Sequence, residues 1–323
     1  MTKKNYFIRL VIVVAFITTL GLISQPPTTD AARGKRNAPE TRITLVSPEW
    51  VAKHATDKGV RVIDTRPNVY DYFVGHVPGA IHLADATLRA PADGLPAQYL
   101  EVETMGKLLA RAGIKRTDQI VLYSDDVDVL GATMIAYLLE RLGFAEVMLL
   151  DGGWSAYKAS QQSVQDYPAF AASNLNVLDN QTVRATLKDI KAALNSNGVT
   201  IVDARPAKVY RGETNIWVRN GHIPGAINIE WRKLTDPNNA HKFKALDELR
   251  KVYEEIGLHK DRDIIVYCGT SREASLEYIV LKHLLGFSRV RLYEGSWAEY
   301  AVHPELDAEI GAGAAQKISV SGP

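Results

Sequence analysis

The chain contains one unit twice, and this repeat constrains its fold more than any other feature. Val62-Ile63-Asp64-Thr65-Arg66-Pro67 returns as Ile201-Val202-Asp203-Ala204-Arg205-Pro206, and Gly75-His76-Val77-Pro78-Gly79-Ala80-Ile81 as Gly221-His222-Ile223-Pro224-Gly225-Ala226-Ile227. Ile120-Val121-Leu122-Tyr123 answers Ile264-Ile265-Val266-Tyr267, and Leu142-Gly143-Phe144 answers Leu285-Gly286-Phe287. Last, Leu150-Asp151-Gly152-Gly153-Trp154-Ser155-Ala156-Tyr157 answers Tyr293-Glu294-Gly295-Ser296-Trp297-Ala298-Glu299-Tyr300. The period is too long for a solenoid, so the pattern means two similar domains in tandem, as 323 residues also suggest. Each unit alternates short apolar strands with amphipathic helices, which predicts an α/β fold with a mostly parallel sheet and helices on both faces. The domains are read over residues 43–160 and 182–305. A polar linker over 161–181 joins them, and a flexible tail over 306–323 follows. Helices are expected at 187–195 and 245–257.

Lys3, Lys4 and Arg9 precede an apolar run over 10–23, and small and polar residues follow it. This reads as a secretory signal peptide over 1–32, and hence as a periplasmic or otherwise exported protein. An uncleaved membrane anchor is the alternative, for which the run is short. Lys+Arg 38 against Asp+Glu 37 leaves a charge near zero and gives no support for a nucleic-acid partner. After signal cleavage nothing in the sequence would hold the chain to a membrane. Cys268 is the single cysteine, so no intramolecular disulfide can form. An unpaired thiol in an oxidising compartment is either buried or used.

Cys268 follows Ile264-Ile265-Val266-Tyr267 and precedes Gly269-Thr270-Ser271-Arg272-Glu273-Ala274, after which the pattern is helical through Leu285. A lone cysteine is often only a small hydrophobe. Here the thiol lies at a strand's C-terminal end, where open α/β sheets bind ligands, and its neighbours are polar. Amides of a short loop at a helix start converge on one point and favour a thiolate. Asp64, Arg66, His76, Asp203, Arg205 and His222 occur in both units although only one unit has the cysteine, so they read as structural. A metal site at His222 finds no second ligand at suitable spacing. Trp154, Trp297 and Tyr300 repeat as well and read as core.

These blocks, over about residues 43–304, resemble the rhodanese family of sulfurtransferases in its tandem two-domain form. The resemblance implies an inactive first domain and a second domain whose Cys268 cycles through a persulfide. A small anionic donor such as thiosulfate or 3-mercaptopyruvate would load it, and a thiophilic acceptor such as cyanide or a thiol would unload it. No metal or organic cofactor is required, and the family expectation is a monomer. The donor site would comprise the amides of Gly269, Thr270, Ser271, Arg272, Glu273 and Ala274, with the Arg272 guanidinium on the donor's anionic group. The first unit carries Ser124-Asp125-Asp126-Val127-Asp128 at the matching place, where no base stands beside Ser124 and carboxylates would repel an anion. Three departures bear on the donor. The stretch from Cys268 to Leu285 is about one residue longer than in the common two-domain enzymes, in the loop or in the helix. Thr270 stands where thiosulfate users often have lysine. Val209 stands where those members carry a donor-binding arginine, with Arg211 nearby as its substitute.

Two other readings compete. A phosphatase of this fold would need Cys-x5-Arg, whereas the arginine here is fourth after Cys268 and the sixth residue is Ala274. A persulfide-relay or non-catalytic module would serve a partner protein as sulfur acceptor, and turnover with small acceptors separates it from an enzyme.

Overall fold

The computed structural model describes residues 40–125, 127–196 and 198–312. The signal peptide read over 1–32 and the tail beyond 312 lie outside them. The first domain holds strands β1 (Arg42–Val46), β2 (Val60–Asp64), β3 (Ile81–His82), β4 (Arg89–Ala92), β5 (Leu95–Tyr99), β6 (Gln119–Tyr123) and β7 (Glu146–Leu150). The second holds β8 (Arg184–Ala185), β9 (Val199–Asp203), β10 (Ile227–Asn228), β11 (Thr235–Asp236), β12 (Asn239–Phe243), β13 (Asp263–Tyr267) and β14 (Val290–Tyr293). Each domain has a five-stranded parallel sheet, ordered β1-β7-β6-β2-β3 and β10-β9-β13-β14-β8. Their central strands are continuous Val/Ile/Leu/Tyr runs, as strands covered on both faces must be. Two antiparallel hairpins, β4–β5 and β11–β12, stand outside the sheets.

Helices α1 (Pro48–His54), α2 (Val69–Val74), α3 (Val102–Arg111), α4 (Leu130–Arg141) and α5 (Gly153–Ser160) pack on the first sheet. The second has α6 (Leu187–Leu194), α7 (Ala207–Tyr210), α8 (Leu246–Glu254), α9 (Arg272–Ile279) and α10 (Ser296–Tyr300). The expected helices at 187–195 and 245–257 are α6 and α8. All twelve residues of α4 are buried, because α4 packs on its own sheet on one side and on α9 on the other, where the Thr133 and Ser275 hydroxyls meet at 2.9 Å. A helix covered all round reads apolar all round.

Helix α9 runs into a π turn, Val280–Leu284, closed by Leu285 N–H donating to the Val280 carbonyl at 2.9 Å. A π turn accommodates one residue more than an α turn, which gives the helix room for the extra residue expected after Cys268. The turn aims Lys282 Nζ and His283 Nε2 at the same buried carboxylate, Glu140 of α4, each at 2.8 Å.

The start of the tail is not free. His222 and Glu309 exchange backbone hydrogen bonds, and Gly311 N–H donates to the Arg211 carbonyl. The linker supplies the equivalent partner in the first domain, Val164 on His76. Its remainder is bonded along that domain, with Ser173 N–H on the Ala110 carbonyl and Phe170 under the Arg61 guanidinium. Both segments satisfy the backbone groups of the histidine in each Gly-His-x-Pro-Gly turn, which would otherwise be left open.

Candidate active site

The strand end that carries the thiol is fixed by a buried ion pair. Arg205 Nε and Nη2 donate to both oxygens of Asp203 at 2.5–3.1 Å, and Nη2 also reaches the Gly221 carbonyl. The Tyr267 hydroxyl accepts Ile223 N–H at 3.1 Å. Asp64, Arg66, Gly75 and Tyr123 repeat the arrangement. His76 and His222 stack on Tyr72 and Tyr210 at 3.8 and 3.7 Å between ring centres. Trp297 and Tyr300 are buried, and the half-buried Trp154 stacks on Tyr123. The six paired residues and the three aromatics therefore have the structural roles expected of them.

Cys268 directly follows β13, and its loop turns into α9 through Ser271, which holds a left-handed φ of 65°. For a serine this is a strained conformation. One hydroxyl pins the turn: Ser296 Oγ accepts N–H from Cys268 at 3.3 Å and from Ser271 at 3.1 Å, and donates to the Tyr293 carbonyl. Those two amides are therefore not offered to a donor. The amides of Thr270 and Ala274 point at the thiol. The Glu273 charge opposes ionisation of the same sulfur.

The expectation of a favoured thiolate needs correction. Cys268 is fully buried. Burial first, and the Glu273 charge second, push the thiol well above its usual range, and the two amides only offset this in part. The resting group is a thiol. Trp217 helps to shut it in, since a Cβ added at Gly269 would come within 2.6 Å of the indole. That indole arrives on a loop with no counterpart in the first domain: Arg66 and Gly75 are nine residues apart, Arg205 and Gly221 sixteen.

The first domain closes the other side. Arg89 of β4 donates to the Thr270 carbonyl and, at 3.1 Å, to Ser271 Oγ. The Tyr99 hydroxyl of β5 meets Ser271 Oγ at 2.7 Å. Arg272 does not offer a free charge to a donor, because its guanidinium is clamped between Asp85 and Asp128 of the first domain, the latter at 2.7 Å. Arg211 lies in an exposed ion pair with Glu213, which takes its guanidinium at 2.5 and 3.1 Å.

The second domain reciprocates. His241 of β12 reaches the loop at the C-terminal end of β6, where Ser124 N–H donates to Nε2 at 2.9 Å. Burial pushes this imidazole down to about 4, so it is neutral. Ser124 thus has a histidine beside it after all, but its ring nitrogen is occupied by the amide, and Ser124 Oγ has no hydrogen-bond partner among the described residues.

Sequence reasoning missed Ser296, Trp217, Arg89, Tyr99, Asp85 and His241. Two carried a signal: Ser296 lies inside a repeated block, and Trp217 in the surplus between two repeated blocks. The others act across the domain boundary, where no local pattern marks them.

Comparisons with known proteins agree with this architecture. The rhodanese-like domain matches residues 47–160 and again 186–303. A putative thiosulfate sulfurtransferase of Synechococcus elongatus is 43% identical over 272 residues, covering 82% of this chain and 84% of its own. The sulfur carrier protein TtuD of Thermus thermophilus is 32% identical, covering 79% of this chain and 93% of its own. The structure of the 3-mercaptopyruvate sulfotransferase SseA of Escherichia coli superposes with a TM-score of 0.71 at 27% identity, covering 78% of this chain and 98% of its own. With both units matched in the order of the repeat, the chain belongs to the rhodanese-like family in its tandem form.

Proposed function

We propose that the protein is a sulfurtransferase that moves a sulfane sulfur from a small anionic donor to a thiophilic acceptor through a persulfide on Cys268. The observation that carries this is the single cysteine at the C-terminal end of β13 with the Thr270 and Ala274 amides aimed at its sulfur. Attack on the outer sulfur of thiosulfate leaves sulfite and a persulfide whose charge those amides stabilise. Thiosulfate and 3-mercaptopyruvate are the donors named for relatives. With Arg272 and Arg211 both engaged, the donor meets loop amides rather than a free guanidinium. A protein acceptor is a second reading, favoured by Ile216 and Val218, which stand exposed on either side of Trp217, whose indole lies over Gly269. A site already walled by both domains fits action as a monomer. The charge pattern of residues 1–32 supports work outside the cytoplasm.

The test is intact mass after incubation with thiosulfate and, separately, with 3-mercaptopyruvate, beside Cys268→Ser. The expected result is a gain of one sulfur atom with at least one donor, absent in the variant and removed by cyanide. No gain with either donor defeats the reading.

A further inference from the structure

Two carboxylates neutralise Arg272, but a second guanidinium reaches the same loop with none beside it. Arg89 comes from β4 of the first domain. Its Nη2 donates to the Thr270 carbonyl and, at 3.1 Å, to Ser271 Oγ, and the guanidinium lies over the Tyr99 ring, 5.2 Å from the centroid. These partners are all neutral, and no carboxylate among the described residues pairs with Arg89. A carboxylate cancels a cation, whereas a carbonyl and a hydroxyl only fix its place. The guanidinium is therefore anchored but still carries an uncompensated charge.

Its hydrogen bonds are also incomplete. Arg89 Nε is buried without an acceptor, and Nη1 bonds to no described residue. The Trp217 N–H is buried without an acceptor as well, on the indole that lies over Gly269. Two buried donors in want of acceptors thus stand at Gly269 and Thr270, the two residues after the nucleophile. Buried donors in native folds are as a rule paired, and a ligand is one way to pair them. The turn itself is tight, since the Cys268 and Ser271 amides meet on the single Ser296 hydroxyl at 3.3 and 3.1 Å. The Arg89 contacts on Thr270 and Ser271 are accordingly within one turn of chain from the thiol.

Resting on the sulfurtransferase reading above, we propose that Arg89 binds the anionic end of the sulfur donor, the sulfonate of thiosulfate or the carboxylate of 3-mercaptopyruvate, with the Trp217 N–H as a second donor to it. The anionic end stays on the guanidinium while the transferable sulfur meets Cys268. Because Arg89 is held in place before the donor arrives, little order is lost on binding. The first domain then supplies the charge that the second domain, with Arg272 clamped, does not offer.

Arg89→Met removes the charge and Arg89→Lys keeps one. With thiosulfate as donor and saturating cyanide, Arg89→Met should raise KM about 10- to 100-fold, as for a lost charge-assisted hydrogen bond. Its kcat should stay within about threefold, because the interaction is made before the chemical step. Arg89→Lys should recover at least part of the rise in KM. A second arm needs no turnover: Cys268 is alkylated by iodoacetate, an anion, and separately by iodoacetamide, which is neutral and nearly the same size. The ratio of the two rates should fall roughly fivefold or more in Arg89→Met, and less in Arg89→Lys. A loosened loop would change both rates alike and leave the ratio where it was. An unchanged ratio, or a KM raised by less than about threefold, overturns the proposal. So does a fall in kcat alone, which would make Arg89 a prop for the loop. If the unaltered protein takes up no sulfur from either donor, the sulfurtransferase reading fails instead, and the alkylation ratio still decides whether Arg89 holds an anion at the thiol.

Discussion

Arg272 lies four residues after the nucleophile, yet the structure assigns it to holding the domains together. The perturbation that decides between this and donor binding is Arg272→Met, which keeps most of the stem and removes the charge. Asp85 is almost wholly buried, its side chain 8% exposed, while Asp128 is 24% exposed. Breaking a buried ion pair from one side costs about 3–5 kcal/mol because a charge is left behind, and an exposed pair is worth about 0.2–1 kcal/mol. The Asp85 half is near the first case and the Asp128 half nearer the second. With Arg272 itself 26% exposed, water can reach the stranded carboxylates, so a loss of about 3 kcal/mol is expected. Thermal unfolding should then begin roughly 6–12 °C lower. Adding Asp85→Asn and Asp128→Asn to the same chain removes the stranded charges and should recover at least half of the loss. Donor kinetics on the folded variant complete the assay: KM for thiosulfate should change by less than about threefold. A variant whose stability moves by less than about 0.5 kcal/mol, and whose KM for thiosulfate rises tenfold or more, would refute the reasoning and return Arg272 to the donor.

Two further consequences concern the shut thiol and the core beneath it. Trp217→Ala opens the roof over Gly269 and should raise alkylation of Cys268 at least severalfold, measured by intact mass against time; an unchanged rate would mean that the thiol is reached from another side. Glu277 of α9 is fully buried, faces the Tyr253 hydroxyl without closing a well-formed hydrogen bond, and has its pKa pushed up by burial to about 8, with Lys233 opposing. Its folded value lies above the unfolded one of about 4.3, so the stability it contributes is complete below pH about 4 and is lost as pH rises through about 8. Glu277→Gln should flatten that decline, gaining up to roughly 4 kcal/mol over the unaltered protein by pH 8; parallel curves in urea unfolding from pH 5 to 8 would contradict this.

The repeat made the architecture legible. Both sheets, the strand end under Cys268 and the Asp-x-Arg anchors follow from short-range patterns printed twice, and a pattern that recurs without the cysteine has to serve the fold. The state of the thiol was not legible, because loop amides near a helix start predict a lowered pKa while burial under Trp217 and the Glu273 charge predict a raised one. Which wins depends on a roof formed by residues far from Cys268 in the chain. Arg272 failed for a related reason: a cation beside a nucleophile is a donor ligand only if nothing else neutralises it, and its carboxylates lie 187 and 144 residues away.

The contacts between domains show what each unit supplies to the other. In each domain the hairpin projects away from its own sheet and its side chains finish the loop of the other: Arg89 and Tyr99 on the Thr270–Ser271 turn, His241 on the Ser124 amide. The Ser124 amide takes its partner from the other domain, and leaving such a group buried without one costs about 1–3 kcal/mol; the Thr270 carbonyl and Ser271 hydroxyl already bond each other at 2.6 Å and gain further partners. The second domain alone would keep the turn pinned by Ser296 but would lose the Arg89 and Tyr99 contacts on it and the two carboxylates that hold Arg272 at the start of α9. The exchange is not the same on the two sides. On the active side the incoming groups bond to the Thr270 carbonyl and the Ser271 hydroxyl and leave the Thr270 and Ala274 amides to the sulfur. On the other side the incoming imidazole occupies the amide of the nucleophile position itself. At the matching place the first unit thus has a hydroxyl where the second has its thiol, and in both the amide of that residue is already bonded, by His241 Nε2 and by Ser296 Oγ.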